Sequence, residues 1–365
     1  MGKHRRSKQN AKNLTAFSFI GIAVLVAAVL FFALKGNTFL KAPEETSDTH
    51  ETVPVEVHPG QTLDGKDNNT GYVPSDIPLS DDETSSDEII PLTEGYLEIH
   101  FIDVGQGDAT LIRFVDTNLD NGDSSEAMLV DAGDNDCGTL VRNYINKQGV
   151  TELKYFVCTH PDADHIGGAA SVVSNIPITS ERIFAPNYKK DTKTYEKLQN
   201  EISNKWYSYI APSFGSSYNL GLAVITFIAP TISHSETNNN SIVFRIEYGK
   251  DSFLFVGDCE EEEELELLNG SYARLLDCDV LKVGHHGSKT ASGEDFIAKV
   301  TPLYSVISCG EGNTYHHPHS AALNNLRAIG SELFRTDKQG SIVATTYGNG
   351  IEWNCEPCND WTAGE

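Results

Sequence analysis

Positive charge is what this 365-residue chain has least of: 27 Lys and Arg stand against 52 Asp and Glu, for a formal net charge of −25. Such a balance disfavours broad, sequence-independent binding along a duplex backbone, a mode built on neutralising phosphates with Lys and Arg. It leaves room for a small anionic substrate, or for a single strand held locally by metal ions and a few lysines. Cysteine is sparse and irregular. Seven are present, Cys137, Cys158, Cys259, Cys278, Cys309, Cys355 and Cys358, and an odd count without regular spacing argues against a disulfide framework. Cys355-Glu356-Pro357-Cys358 could close a small loop, but a lone C-x-x-C is weak evidence for zinc or redox chemistry. A phosphate-binding P-loop is missing too. Asp103-Val104-Gly105-Gln106-Gly107-Asp108 sets two glycines between acids, yet it lacks the lysine and the spacing and is followed by a strand rather than a helix. Those glycines mark a turn where backbone comes close to something.

A long hydrophobic run occurs once in the sequence. Leu14 to Leu34 runs 21 residues without a charge, enough at about 1.5 Å per residue to cross a hydrocarbon core of about 30 Å. A cleaved signal peptide would have a shorter apolar region ending in a small-residue site, so an uncleaved anchor is the expectation. Residues 1–13 carry Lys3, Arg5, Arg6, Lys8 and Lys12 and no acid. By the positive-inside rule this basic tail stays in the cytoplasm, which makes the chain a single-pass protein of the cell membrane with its remainder outside the cytoplasm. Residues 35–95 follow as an acidic linker. Between 44 and 95 there are 14 acids against the single Lys66, with no sustained period, a composition that cannot bury enough apolar surface to offset ordering entropy. An extended disordered tether is expected, although an acidic recognition segment has the same composition. The residues from 96 onward still carry a balance of −19.

From Tyr96 the texture becomes short strands broken by turns and helices. Leu97, Ile99 and Phe101 alternate with Glu98 and His100, a half-buried strand, and Ala109–Phe114 is a second. Met128-Leu129-Val130 ends in Asp131-Ala132-Gly133, where Asp131 could orient a neighbouring loop or cap a turn. Leu140, Val141, Tyr144 and Ile145 recur at helical spacing, with Gly149 at the stop. Then comes the densest stretch, Cys158-Thr159-His160-Pro161-Asp162-Ala163-Asp164-His165-Ile166-Gly167-Gly168. It places two His and two Asp on a loop between a short apolar strand and a small-residue helix. Imidazole nitrogens with carboxylate oxygens suit Zn, Mn or Fe. The plainer alternative is a helix cap, Asp164, with surface charge around it.

Two further stretches repeat the design of a ligand-type side chain delivered at a strand end. Ser252–Val256 ends in Gly257-Asp258, where Asp258 could equally cap the helix that follows. The glutamates from Glu260 to Glu264 are expected to form a solvated helical face. Asp279–Val283 ends in Gly284-His285-His286-Gly287-Ser288-Lys289, and a His pair between glycines is hard to explain as packing. Asn313–His319 adds His316, His317 and His319 before a helix from Ser320. Seven of the 12 histidines fall in the loop at 158–168, the pair at 285–286 and the run at 316–319.

The order His-x-Asp-x-Asp-His, then Gly-Asp, then His-His-Gly-Ser resembles the ligand order of the metallo-β-lactamase fold, over about Tyr96 to Trp353. The resemblance is closer still to the extracytoplasmic domain of ComEC-type DNA-uptake competence proteins. FIDVGQGDATLI, LVDAGD, THPDADHIGG, NNNSIVF, FVGD, LKVGHHGSKT, YHHPHSAAL and RTDKQGSI look like the blocks of that family, in order. It implies an α/β, four-layer αββα sandwich over residues 96–354, followed by a tail at 355–365, with two divalent metal ions, Zn or Mn. Carried over by position, His160 and Asp162 would hold one ion and Asp164 and His165 the other. Asp258 would bridge them, and His285 or His286 would add a ligand or a proton donor. Asp164, His286 and His317 would be catalytic. Gln106, Asp108, Asn240, Ser288, Lys289 and His319 would line the substrate side, Lys289 as a phosphate contact or as an ordinary surface lysine. Asp162 departs from the family's usual histidine, which adds negative charge and tilts the site toward Mn. No obvious His fills the intermediate ligand position before Asp258; His234 lies in a polar loop, and Asn240 is the alternative. The implied activity is that of an anchored, free-standing phosphodiesterase or nuclease acting on single-stranded DNA or a nucleotide-like phosphodiester. Hydrolysis of a carbon ester, lactone or lactam, or a non-catalytic metal-stabilised module, would use the same fold.

Overall fold

The computed structural model describes residues 95–117 and 125–364. Among them no helix is long and apolar enough to cross a membrane; the anchor expected at 14–34 lies outside the described residues, as does nearly all of the linker.

Two sheets form the centre. The first begins with three antiparallel strands, β1 (Gly95–Phe101), β2 (Thr110–Asp116) and β3 (Ser125–Val130). It continues in parallel through β4 (Tyr155–Val157), β5 (Arg182–Phe184) and β6 (Ser208–Ile210). The second runs antiparallel through β7 (Ser217–Leu220), β8 (Ala223–Ala229), β9 (Val243–Tyr248) and β10 (Asp251–Phe255). From there it is parallel through β11 (Val280–Lys282), β12 (Tyr304–Ile307) and β13 (Glu332–Arg335). β14 (Ile342–Thr346) and β15 (Ile351–Trp353) return to pair on the outer side of β1, giving eight strands in one sheet and seven in the other.

Alternation along each strand assigns its side chains to layers. Met128 and Val130 enter the layer between the sheets, while Ala127 and Leu129 face the other way. Because both faces of the central strands are covered, they read as continuous apolar runs. The inter-sheet layer is aromatic, with Phe244 and Phe255 stacked at a centroid distance of 4.9 Å. Outside the first sheet lie α1 (Gly138–Lys147), α2 (Ala163–Ile166), α3 (Ala169–Asn175) and α4 (Lys193–Lys205). Val141, Ile145, Val172, Leu198 and Ile202 pack there in one core. Outside the second lie α5 (Glu261–Asn269), α6 (Glu294–Val300) and α7 (Ser320–Ala328), with Leu267, Phe296, Leu323 and Leu326 in a third core. The molecule is an αββα sandwich.

One expectation about α5 is corrected. Glu263 and Glu264 are buried rather than solvated. The first turn of α5 is packed against two loops: Asn239 Oδ1 accepts from the N–H groups of Glu260 and Glu263, and the Glu264 carboxylate accepts from those of Ser292 and Gly293. Orphan N–H groups at the helix start and in the facing loop need these acceptors.

In an open α/β sheet the place for chemistry is outside the carboxyl ends of the parallel strands. Here β3, β4 and β5 of one sheet and β10, β11 and β12 of the other release their loops toward a shared edge. Those loops carry Asp131, His160, Asp258, His286 and Ser308.

Candidate metal centre

Four side chains from three loops converge. Donor atoms of Asp164, His165, Asp258 and His286 all lie within 4.8 Å of one another. His165 Nε2 is 3.2 Å from Asp258 Oδ1, and His286 Nε2 is 3.3 Å from Asp164 Oδ2 and 3.6 Å from Asp258 Oδ2. Neither Asp164 nor Asp258 caps a helix: the flanking residues Asp162 and Glu260 occupy the N-cap positions of α2 and α5.

The backbone that delivers these groups is costly. His285 and His286 both sit at positive φ, 45° and 52°, a conformation rare outside glycine and concentrated at functional sites. The turn puts both Nε2 atoms 3.6 Å from Asp258 Oδ2. Gly257, at φ +52°, could not carry a side chain, because a Cβ there would stand 2.9 Å from that of Thr159 and 3.0 Å from that of Ser241. The turn expected at Gly105–Gly107 also finds its neighbour. A Cβ on Gly107 would collide with the Asp164 carbonyl, and Asp108 N donates to that carbonyl at 3.1 Å.

A second ring of groups fixes which ring nitrogen faces inward. His165 Nδ1 donates to Asp131 Oδ2 at 2.8 Å, and Asp131 also accepts from Thr159 N and Oγ1 at 2.8 and 2.6 Å. Asp131 therefore orients the loop. His286 Nδ1 donates to the Ser308 carbonyl at 2.9 Å, and His285 Nδ1 donates to Glu260 Oε1 at 2.8 Å. Metal-bound histidines are held in this way by their outer nitrogen. Behind them Asp108 pairs with the buried Lys282 at 2.8 Å and lies 3.6 Å from His286 Nδ1.

The inward atoms have nothing to bond. The Nε2 atoms of His160, His165 and His286 and Asp258 Oδ1 are buried without a hydrogen-bond partner, a costly state for polar atoms. Burial opposes charge on His165, yet Asp258 and Asp131 outweigh it and hold its pKa well above the ordinary value. His286 is likewise raised to about 10, with Asp258 and Asp108 overcoming burial. At Asp164, burial is outweighed by the adjacent His286 and His165 imidazoles, which hold its carboxyl below the usual range. A buried, electronegative pocket of imidazole and carboxylate donors fits a divalent cation of the Zn or Mn kind.

The centre opens onto a cleft of about 110 Å³ bordered by Gln106, Asp162, His285, Tyr315 and His317. His317 sits 5.4 Å from the His285 ring and 6.1 Å from that of His286. Burial and the charges of His286 and His285 push its pKa down to about 3, so the ring is neutral. Gln106 reaches it at 3.4 Å.

Other expected residues are engaged outside the four-donor cluster. Asp162 is turned to the Lys190 ammonium. Asp108 is buried beneath the cluster. The Asn240 amide is spent on backbone, accepting from His234 N and donating to the carbonyls of His234 and Glu236. His234 pairs with Glu266 at 2.7 Å. Ser288 is buried and bonds Thr290 within its own turn. Lys289 lines a neighbouring cleft with Glu261 and Glu264, and its N–H donates to His319, which stands behind His317. Lys190 and Glu260 were missed. Both follow strands that end at this edge, and strand order alone could have flagged them.

A profile of the metallo-β-lactamase superfamily matches residues 102–311. Over 264 residues the chain is 30% identical to ComE operon protein 3 of Bacillus subtilis (strain 168), covering 70% of this chain and 34% of that protein. Over 263 residues it is 30% identical to competence protein ComA of Neisseria gonorrhoeae, covering 70% and 33%. It thus spans about a third of the length of these relatives. Among solved structures it is similar to the metallo-β-lactamase fold protein YhfI from Bacillus subtilis, at 12% identity and a TM-score of 0.41, over 66% of this chain and 96% of that one. With its histidines and carboxylates gathered at the strand ends of an αββα sandwich, this chain belongs to the metallo-β-lactamase superfamily and is related there to the ComEC-like competence proteins.

Proposed function

We propose that this chain is a membrane-anchored, metal-dependent phosphodiesterase whose catalytic part lies outside the cytoplasm and acts on single-stranded DNA or nucleotide-like phosphodiesters. The observation that carries the metal dependence is the set of buried, unpartnered donors on His160, His165, His286 and Asp258. The competence relatives motivate the substrate class. Asp164, His165, Asp258 and His286 would hold a divalent cation, with His160 and His285 against the other side of Asp258. When bound, such a cation supplies a water of lowered pKa and a Lewis acid for a phosphoryl oxygen.

The chain's own residues do the rest. Ser308 and Asp131 keep the outer nitrogens of His286 and His165 protonated, so that with a cation bound both rings would present a lone pair inward. That arrangement removes His286 from the role of leaving-group acid. His317, neutral and at the cleft, is placed to donate a hydrogen bond to the departing oxygen, with Gln106 fixing its ring. The 110 Å³ cleft is the mouth by which a phosphodiester would reach the centre, and the acidic surface restricts contact with a longer strand to it.

The test is to load the purified protein with Mn or Zn and offer bis(p-nitrophenyl) phosphate, single-stranded DNA and a chromogenic lactam. Turnover of both phosphodiesters, lost in Asp164→Ala, is expected. Turnover of the lactam alone would replace this reading with carbon-centred hydrolysis, and metal uptake without turnover would make the chain a binding module.

A further inference from the structure

Among the described residues, Asp162 is the one cleft carboxylate that stands outside the four-donor cluster, and it meets an ammonium instead. It accepts a charge-assisted hydrogen bond from Lys190, on the loop that follows β5. On the same side of Asp258 few donors remain. His160 Nε2 is 3.9 Å from Asp258 Oδ2 and His285 Nε2 is 3.6 Å from it. The Asn240 amide is committed to backbone, and the Ser241 hydroxyl accepts from Asp258 N at 3.0 Å.

We propose that the chain holds one divalent cation tightly, on Asp164, His165, Asp258 and His286, and that Lys190 supplies the second positive charge of the centre, its ammonium competing with a second cation for Asp162. This rests on the reading of the chain as a metal-dependent hydrolase.

Exposure decides how strong the competition is. The Lys190 and Asp162 side chains are 32% and 28% exposed, and a pair as open as this shifts a binding equilibrium only about fivefold. A second cation at high concentration therefore displaces the lysine. Once displaced, the ammonium stays on its flexible stem at the lip of the cleft, where phosphate oxygens offer it new acceptors. A phosphodiester arriving at a singly loaded centre meets the same lysine.

The measurement is a count of bound ions and their affinities in the full protein, by calorimetric titration with Mn and by elemental analysis after gel filtration. One equivalent is expected to survive filtration, with a second at least about tenfold weaker. Lys190→Met is expected to tighten the second about fivefold and leave the first unchanged, and Asp162→Asn to abolish the second alone. Two equally tight equivalents in the unaltered protein would overturn the proposal, as would a Lys190→Met variant whose second affinity does not move. Turnover does not enter these readouts. Failure of the phosphodiesterase reading would leave the ion count standing, and two tight ions would leave that reading untouched.

Discussion

Asp131 sits at φ 55°, a strained conformation for a residue with a Cβ, and the two oxygens of its carboxylate accept three hydrogen bonds. Two come from Thr159 and one from His165. Asp131→Asn keeps the volume but sets an amide donor where a donor already points, which frees the His165 ring to turn. Metal affinity should fall about 10–100-fold, read by competition with a chelating dye. Unchanged affinity would show that His165 does not hold the ion. Gly257→Ala tests the neighbouring strand end. A methyl there meets Thr159 of the facing sheet and Ser241 beside it in the same sheet at a φ that already favours glycine. We expect a loss of about 2–3 kcal/mol in denaturant unfolding, with a disturbed Asp258. Sequence singled out the His pair as a candidate but not which ring would face inward. That depends on two successive positive-φ residues and on the Ser308 carbonyl, twenty-two positions downstream, and alternation along a strand cannot forecast either.

Helix α5 shows the limits of pattern at the scale of an element. A run of glutamates at a helix start satisfies the helix dipole and looks solvated, yet α5 is rotated so that Glu263 and Glu264 face the interior. Burial raises the Glu264 pKa to about 7 from 4.5, with the N–H groups of Gly293 and Ser292 offsetting part of the shift. The folded carboxyl thus binds its proton more tightly than the unfolded one. Its contribution is complete below pH 4.5, declines as pH rises, and is lost above about pH 7, a change of about 3 kcal/mol. Glu264→Gln should flatten stability between pH 5 and pH 8 by about that amount. The variant is weaker at pH 5, since an amide offers one oxygen to two N–H groups. A slope equal to that of the unaltered protein would mean that Glu264 does not titrate in this window. The strands from Leu97 to Phe101 and from Ala109 to Phe114, by contrast, were legible from alternation and apolar runs. The three-residue strand β6 was not, because its formation depends on pairing with β5 rather than on any pattern of its own.

At the scale of the whole molecule, the two halves each contribute parallel strands, and the site exists only where their ends meet. The family blocks made that meeting legible, because they preserve the order of strand-end ligands. Residues 355–365 lie beyond the last block, carry no pattern, and read as a tail from sequence alone. In the structure residues 355–364 are bound into the fold. Asn359 exchanges two hydrogen bonds with Leu333, Gly364 N donates to the Pro318 carbonyl, and Trp361 packs against the helix-covered core of the second sheet. Arg335, fully buried, pairs with Asp337 at 2.8 Å and donates to the carbonyls of Asp360 and Thr362. Removing residues 355–365 would strip a buried guanidinium of two acceptors, expose the Trp361 seat, and loosen the loop that carries His317. Each lost bond to a charged group costs about 1.5–3 kcal/mol, and at about 2–4 °C per kcal/mol for a domain of this size the melting temperature should fall by roughly 10 °C. Asp337→Asn, which leaves the tail in place but takes from the buried Arg335 its carboxylate partner, should lower the melting temperature by a comparable amount. If the truncated protein melts with the intact one, the segment is an appendage, and the His317 loop is held without it, by its bonds to Asn313, Gly287, Gln106 and Lys289.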